Sequence, residues 1–254
     1  MAPPTLVAEG VTHVYGKTVA IEDLNLEVAD GEFLVIVGAS GCGKSTLLKL
    51  VAGFEQPTSG RVLLRGKPVE TIEPRCGMVF QNYALFPWLS VADNISFGPR
   101  LRGVDDKQAI DDLMKTVGIA GFSEHYPSQL SGGMRQRVAL ARTLANDPEV
   151  LLCDEPFAAV DAMTRQLLQE ELSRIAAHAN KTVVFITHSI EEAILLADRI
   201  VVLTARPGRV KRELINELER PRTNDMLMTA YARELKREIW GSVRDEVAET
   251  ITAT

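Results

Sequence analysis

The hydrophobic and polar positions of the first forty residues change from a mixed to a continuous apolar pattern. Residues 6–15 (LVAEGVTHVY) and 19–28 (VAIEDLNLEV) are typical of strands, and a turn signal follows each of them, GK after the first and DG after the second. The next run, FLVIVG at residues 33–38, is apolar throughout. An unbroken apolar run of this length predicts a strand that is buried on both faces.

Apolar residues take on the spacing of a helix directly after this strand and again in the middle of the chain. KSTLLKLVAG, residues 44–53, predicts a helix closed by a C-terminal glycine, whereas RVLLRGKPV and CGMVF predict further strands. Residues 91–145 carry helical spacing, interrupted by predicted turns at GPRLRG and HYPSQ. The apolar face of this helical block is represented by Ile110, Leu113, Met114 and Val117.

Two more continuous apolar strands follow the helical block, VLLCDEP at residues 150–156 and TVVFITH at residues 182–188. The helix predicted between them has the apolar stripe Leu167, Leu168, Leu172, Ile175 and Ala176. This order of strand, helix and strand around an inserted helical block predicts an α/β fold with a mostly parallel sheet. The charged tail from residue 221 to 254 is helix-prone, and no chemistry can be assigned to it.

Composition narrows the class of protein without changing this architecture. The 254 residues are 46% hydrophobic and 24% charged, which is ordinary for a globular chain, and the net charge of −6 argues against nucleic acid as a partner. The three cysteines are far apart and form no CxxC pair, so we expect a reducing cytosol rather than disulfides or zinc. No window approaches the roughly 18 to 20 apolar residues of a membrane span. If the protein works at a membrane, we expect it to do so through a partner.

A glycine-rich loop directly follows the strand FLVIV. The sequence GASGCGKST, residues 38–46, fits the phosphate-binding pattern G-x-x-x-x-G-K-[ST] and leads directly into the predicted helix. Its backbone N–H groups and the helix dipole favour a phosphate group, Lys44 adds a full charge, and the Ser45 hydroxyl is suited to bind Mg²⁺. The alternative is a glycine-rich turn with a chance lysine, and Cys42 is best explained as a tolerated small residue. The candidate nucleotide ligands of this phosphate loop are Gly38, Ala39, Ser40, Gly41, Cys42, Gly43, Lys44, Ser45 and Thr46.

Polar side chains follow three other predicted strands. Asp154 is placed to hold Mg²⁺ through water, and Glu155 to orient and polarise the water that attacks a γ-phosphate. His188 is a candidate contact to the γ-phosphate, and Gln81 is a candidate ligand of the metal or the attacking water. Each also has a structural alternative: a solvated acidic turn, a structural histidine and a polar residue that opens a loop.

The loop after Gln81 is unusually apolar. Tyr83, Leu85, Phe86, Pro87 and Trp88 lie within six positions, and we call residues 83–88 the apolar loop. Aromatic residues in a loop either fill a core or form a surface for a partner, and the sequence leaves both interpretations open.

Taken together, these motifs resemble those of the ATP-binding subunits of ABC transporters. The resemblance rests on the phosphate loop, on LSGGMRQR at residues 130–137 as the family signature, on VLLCDEP as Walker B and on AAVD at residues 158–161 as the D-loop. Gln81, Glu155 and His188 match the Q-loop glutamine, the catalytic glutamate and the switch histidine. By the same resemblance the remaining nucleotide ligands are Tyr15, which stacks on adenine, and Ser131, Gly132, Gly133 and Gln136 of the signature. Asp154, Ser45 and Gln81 become the expected metal ligands.

The resemblance also implies a fold and a way of working. The family fold is a P-loop NTPase core, RecA-like, with an N-terminal antiparallel β subdomain and an inserted helical subdomain. It implies one nucleotide-binding domain over residues 1–220, a helical subdomain at about 91–145 and a helical tail over 221–254. Family members hydrolyse ATP with Mg²⁺ as dimers at the cytoplasmic face of the inner membrane, bound to permease subunits. Here a homodimer is expected, and a substrate-binding protein in the whole system.

Two details refine this expectation. Ala158 and Val160 stand where the family more often has serine and leucine, which bears on coupling between the two sites rather than on nucleotide binding. NYALFPWLSVADNISFGPRLRGV, with RPGRV and ERPR, resembles the importers of taurine, aliphatic sulfonates and nitrate. The alternatives are a soluble ABC-type ATPase in DNA repair or translation, and a P-loop kinase, which would leave LSGGMRQR without a role.

The signature itself predicts a dimer. Two glycines at a helix start cost roughly 1 kcal/mol each against alanine, yet one chain already holds its nucleotide phosphates at Lys44. In a two-fold dimer, Ser131 and the two glycines of one copy would close over the γ-phosphate bound by the other. We therefore expect nucleotide to drive dimerisation.

Overall fold

The computed structural model describes residues 3–158 and 160–252, the side chains of the last six excepted. Its strands are β1 (Leu6–Tyr15), β2 (Thr18–Val28), β3 (Phe33–Val37), β4 (Ser59–Leu64), β5 (Lys67–Pro68), β6 (Cys76–Val79), β7 (Val150–Asp154), β8 (Thr182–Ile186), β9 (Arg199–Leu203) and β10 (Val210–Ile215). Its α-helices are α1 (Lys44–Val51), α2 (Val91–Leu101), α3 (Lys107–Thr116), α4 (Gly132–Leu144), α5 (Ala162–His178), α6 (Ile190–Leu196) and α7 (Ala230–Thr252). Short 3₁₀ turns precede α4 and α7.

The strands form two sheets. The smaller sheet is antiparallel, with the order β2-β1-β4-β5, and corresponds to the expected N-terminal β subdomain. The larger sheet has the order β10-β9-β3-β8-β7-β6; its strands from β9 to β6 are parallel and β10 pairs antiparallel at the edge. The predicted α/β fold with a mostly parallel sheet is therefore confirmed.

Strand β3 lies inside the larger sheet because its apolar side chains face two cores. All five of its residues are buried. Leu34 and Ile36 pack with α1 and the smaller sheet, whereas Phe33, Val35 and Val37 pack with α5, α6 and α7. A strand with an apolar core on each face needs no polar positions, which explains the continuous pattern.

The helical block has a core of its own. Val91 and Ile95 of α2 pack against Met114 of α3 and Val138 of α4. The last strand before the block, β6, and the first one after it, β7, are parallel neighbours in the larger sheet. The block is therefore inserted between two adjacent strands, and α4, which the signature begins, belongs to it.

Three local predictions were wrong, each for a physical reason. RVLLRGKPV is not one strand but a hairpin, since Arg65 and Gly66 both have positive φ and reverse the chain between β4 and β5. The turn predicted at GPRLRG starts later, because α2 continues through the buried Pro99, whose packing outweighs the hydrogen bond that proline removes. Leu167 does not belong to the apolar stripe of α5: it is 53% exposed, since the buried face of this helix is formed by Leu168, Leu172 and Ala176.

The tail packs on the larger sheet rather than standing apart from it. Ala232, Leu235 and Ile239 of α7 are buried in the core that also covers β3 and β9. The boundary predicted at residue 220 therefore stays a prediction. In the part of the chain that is described, no helix combines the length and the apolarity that a bilayer span requires.

Candidate functional site

The phosphate loop connects the buried strand β3 to helix α1, and its glycines fit this tight connection. Gly41 and Gly43 have φ of +77° and +97°, in the left-handed region that favours glycine. A Cβ on Gly43 would come within 2.7 Å of the carbonyl oxygen of Ala20. The backbone can therefore wrap inward here only because side chains are absent.

Lys44 is the first residue of α1 and is almost fully buried, with 7% of its surface exposed. Its Nζ donates to the carbonyl oxygens of Gly38 and Ala39, each at 2.9 Å. A lysine at a helix N-terminus is unfavourable beside the positive end of the dipole, and no acidic residue lies in this first turn. This arrangement gives a positively charged loop that is prepared for an anion.

An open pocket of about 270 Å³ lies over the phosphate loop. It is lined by Tyr15, Thr18, Ala20, Ser40, Gly41, Gly43, Lys44, Ser45, Thr46, Glu155 and Arg206. Gly38, Ala39 and Cys42 are not among the lining residues, and Cys42 is buried, with its thiol pKa raised by burial. Its burial agrees with its interpretation as a small packing residue.

Tyr15 stands at the rim of this pocket, where β1 ends. Its hydroxyl donates to Glu55, and burial is the main cause of its raised pKa. The side chain is nevertheless 43% exposed, and its ring meets His13 edge-on at 4.6 Å between centroids. Because the two rings are nearly perpendicular and Tyr15 is this exposed, its ring is accessible to a flat ligand.

Ser45 and Asp154 form the part of the site that suits a divalent cation. The Ser45 hydroxyl donates to Oδ1 of Asp154 at 3.0 Å, across from α1 to the end of β7. Burial raises the pKa of Asp154, and the neighbouring Glu155 adds to that effect. Mg²⁺ prefers oxygen ligands and is commonly held by one or two protein groups together with phosphate and water. The pair therefore fits Mg²⁺, which would offset the unfavourable burial of the carboxylate.

Glu155 and His188 meet at the carboxyl end of the parallel sheet. Asp154 pairs with Ile186 in the β7–β8 ladder, so the residues that follow the two strands are neighbours. Nδ1 of His188 lies 3.1 Å from Oε2 of Glu155, and Glu155 lines the pocket. Glu155 has a φ of +45°, a strained conformation for a residue with a Cβ, as is common at functional sites.

A buried polar network fixes the backbone on both sides of His188. Glu192 is 6% exposed and accepts hydrogen bonds from the Thr187 hydroxyl and, at 3.0 Å, from Nε2 of Gln169. The backbone N–H of Ser189 in turn donates to the Thr187 hydroxyl at 2.9 Å. Sequence reasoning missed this support, because an acidic residue in the first turn of a helix is ordinary and gives no sign that it is buried.

Gln81 follows β6 at the same edge of the sheet, since Val79 pairs with Cys153 in the β6–β7 ladder. Its side chain is exposed and does not line the pocket. The structure therefore joins two of the three predicted metal ligands, Ser45 and Asp154, by a hydrogen bond, and places Gln81 at the same edge of the sheet.

The signature lies outside this pocket. Ser131 caps α4 by accepting a hydrogen bond from the backbone N–H of Met134 at 3.3 Å. A Cβ on Gly133 would come within 2.7 Å of Thr164 Cγ2 in α5, so this glycine also has a packing role within one chain. None of the predicted ligands of this segment lines the pocket: Ser131, Gly132, Gly133 and Gln136.

Gln136 differs from the other predicted ligands because it is enclosed. Its side chain is 1% exposed, and neither its Nε2 nor its Oε1 has a hydrogen-bond partner among the described residues. In this conformation the amide is closed off from a nucleotide. A buried amide without partners is costly, roughly 1 to 3 kcal/mol for each group.

The D-loop is described only in part, because Ala159 lies outside the described residues. Val160 is buried in the core beside α5. Asp161 caps α5 by accepting from the backbone N–H of Thr164 at 3.0 Å.

Comparison with known proteins gives one family. The family model described as ABC transporter matches residues 21–158. An uncharacterised ABC transporter ATP-binding protein of Methanocaldococcus jannaschii is 47% identical, over 97% of this chain and 94% of that protein. The nitrate import ATP-binding protein of Synechococcus elongatus is 48% identical, over 84% of this chain and 80% of its own length. The taurine import ATP-binding protein of Roseobacter denitrificans is 44% identical, over 91% of this chain and 86% of its own length.

Solved structures agree with these relatives. The dimeric structure of a post-hydrolysis state of an ATP-binding cassette, bound to ADP and phosphate, is 32% identical. It superposes with a TM-score of 0.76 over 84% of this chain and all of that one.

Proposed function

This chain belongs to the ABC transporter family as an ATP-binding subunit and ATP hydrolase, and we propose that it drives the import of a small anion. The substrate class follows from relatives named for nitrate and taurine import, and an aliphatic sulfonate belongs to the same chemical group. We place the protein peripherally at the cytoplasmic side of the inner membrane. Its partners there are permease subunits and, in the whole system, a substrate-binding protein.

One observation carries the hydrolytic part of this proposal. A single pocket is lined by Lys44 and Ser45 from the phosphate loop and by Glu155, which touches His188. Lys44 binds the phosphates and Glu155 orients the attacking water. Ser45 and Asp154 would hold Mg²⁺, which would supply positive charge beside the phosphate oxygens. His188 contacts the γ-phosphate, and Tyr15 stacks on adenine.

The dimer follows from the position of the signature. Because Ser131 lies outside the pocket of its own chain, we assign it to the nucleotide of a second copy. The superposition on a dimeric cassette supports this assignment.

The import function is tested on the complex that this chain forms in its native membrane. We expect permease subunits to co-purify with it, and after reconstitution one of nitrate, taurine or an aliphatic sulfonate should be taken up with release of free phosphate. Co-purification with ribosomes or DNA and no membrane protein would favour the soluble ATPase. A phosphorylated small molecule in place of free phosphate would favour a kinase.

The apolar loop is the surface that we propose for the permease. Trp88 is 70% exposed, whereas Phe86 is partly buried and its ring packs on Phe97 at 4.5 Å. Arg142 of α4 donates to the carbonyl oxygens of Tyr83 and Ala84, at 3.1 and 2.6 Å, so the signature helix holds the loop directly.

A groove of about 480 Å³ is lined by residues of this loop, of the helical block and of β6, among them Phe86, Phe97 and Arg142. A short helix of the permease that docks here would contact the loop and the signature helix together. Filling of the core therefore accounts in part for the aromatic side chain of Phe86, which packs on Phe97, but not for the exposed side chain of Trp88.

Replacing Trp88 by Ala should therefore uncouple transport without unfolding the chain. We expect substrate-dependent ATP hydrolysis in the reconstituted complex to fall about tenfold or more, because an exposed aromatic anchor is often a hot spot of an interface. Nucleotide binding by the isolated chain should stay unchanged. Trp240→Ala, at a position in α7 that is 58% exposed, serves as the control. Equal transport rates for the two variants would contradict the docking proposal.

A further inference from the structure

The loop between β9 and β10, residues 204–209, lies directly against the phosphate loop. The backbone N–H of Gly208 donates to the carbonyl oxygen of Ala20 at 2.9 Å, and its own carbonyl accepts from Glu22 N–H at 3.1 Å. A Cβ on Gly208 would come within 2.1 Å of the carbonyl oxygen of Cys42. The two loops are therefore packed backbone to backbone.

Arg206 projects from this loop at the edge of the nucleotide pocket. Its side chain lines the pocket, and its Nη2 lies 3.4 Å from the carbonyl oxygen of Gly41. Within residues 3–158 and 160–246, no carboxylate oxygen comes within 4.0 Å of its guanidinium group. Arg209 of the same loop differs, because its guanidinium is paired with Glu22 at 2.6 Å and the residue is not among those that line the pocket. Arg206 thus adds a charge without a counter-ion at the mouth of the phosphate loop.

The tail helix α7 fixes the residue before Arg206. Glu246 is buried, and its Oε2 accepts a hydrogen bond from the backbone N–H of Ala205 at 2.6 Å. Its Oε1 is paired with Nζ of Lys211 at 2.6 Å, and Lys211 also donates to the carbonyl oxygen of Ser242. A buried carboxylate that accepts from a backbone N–H and from a lysine is a strong anchor. The tail is therefore tied to the loop that carries Arg206.

We propose that Arg206 binds the phosphate chain of the nucleotide and that Glu246 is a positioning residue which holds the Arg206 loop in place. This inference rests on the proposed nucleotide site. A nucleoside triphosphate carries more negative charge than Lys44 alone neutralises, and the planar guanidinium donates to phosphate oxygens in pairs. The tail, to which the sequence assigns no chemistry, thereby acquires a role in nucleotide affinity.

The first test is equilibrium binding of ATP and of ADP to the isolated chain with Mg²⁺. Arg206→Ala should weaken both affinities by about five- to tenfold, as expected for the loss of a partly solvated, charge-assisted contact. Arg206→Lys should recover part of the loss, because it restores the charge but not the paired geometry. Arg209→Ala is the matched control and should bind within about twofold of the unchanged chain, since its guanidinium lies outside the pocket lining.

The second test separates positioning from general stability. Glu246→Ala should weaken nucleotide binding, and the milder Glu246→Gln, which keeps an acceptor for Ala205, should weaken it less. In a chain that already carries Arg206→Ala, the change at Glu246 should have no additional effect on affinity. Such non-additivity is the mark of two residues that act through one contact.

The outcomes are distinct. Nucleotide affinities of Arg206→Ala within twofold of the unchanged chain would overturn the binding role, as would an effect confined to ATP-driven dimerisation. Glu246→Gln could instead weaken nucleotide affinity equally in the unchanged chain and in the chain that carries Arg206→Ala. That result would overturn the positioning role and leave Glu246 merely structural. An unchanged chain that binds no nucleotide would refute the proposed function itself.

Discussion

Replacing Glu155 by Gln will stop ATP turnover and leave ATP binding intact. Glu155 lines the pocket at the end of β7, and its carboxylate is 3.1 Å from His188, so it is the group best placed to polarise water beside the γ-phosphate. The amide has nearly the same shape but cannot act as a base. We expect phosphate release to fall by roughly 10²- to 10⁴-fold, the usual contribution of a general base.

Two measurements check this result. Phosphate release gives the rate, and size-exclusion chromatography with ATP should show a dimer that the unchanged chain forms only transiently. Glu149→Gln is a suitable control, because Glu149 immediately precedes β7 at the opposite end of the strand and pairs with Arg65. Unchanged hydrolysis in Glu155→Gln would remove the catalytic assignment.

A bulky residue in place of Ser131 should abolish hydrolysis while the monomer keeps its affinity for ATP. Ser131 is exposed and lies outside the pocket of its own chain. Ser131→Tyr should therefore block the approach of a second copy without touching the nucleotide of the first. Ser131→Tyr also removes the N-cap of α4, which lowers the free energy of unfolding by about 1 kcal/mol. Asp106→Ala removes the equivalent cap of α3 and is the control for this loss of stability.

Mixing two inactive variants gives the sharpest form of this test. Lys44→Ala lacks the phosphate loop charge, and Ser131→Ala, used here in place of Ser131→Tyr, lacks the signature hydroxyl without adding bulk that would keep two copies apart. Each homodimer therefore has two defective sites. A mixed dimer has one site built from an intact Lys44 and an intact Ser131. Hydrolysis should reappear on mixing, and its absence would mean that each chain completes its site alone.

The contiguous parts of the site could be predicted from the sequence. Lys44 and Ser45 belong to one nine-residue motif that runs from the end of β3 into α1. Asp154 ends β7, the next strand but one from β3 in the sheet, and Glu155 follows it directly. In such motifs the local chain geometry fixes the spacing of the ligands. The family and its fold followed from the order of these motifs and are confirmed by the comparisons.

Distant contacts could not be predicted in this way. Arg206 lies 165 residues along the chain from Gly41, and Glu246 lies 41 residues beyond Ala205. Neither pair has a spacing that a local pattern would reveal. The enclosure of Gln136 was missed for the same reason, since burial depends on which helices pack around it.

The sequence by itself determined the buried strands β3, β7 and β8 and the helix α1, because the periodicity and glycine placement that specify them act over a few residues. It also determined the phosphate chemistry of the loop. Only the tertiary structure decided which charges meet. It placed the half-buried Asp154 beside Ser45 and the buried Glu192 against Thr187, and it left Ser131 outside its own pocket. It also brought the tail against the loop that carries Arg206. The physical reason is that burial and ion pairing depend on distances across the fold, which the order of residues along one element does not contain.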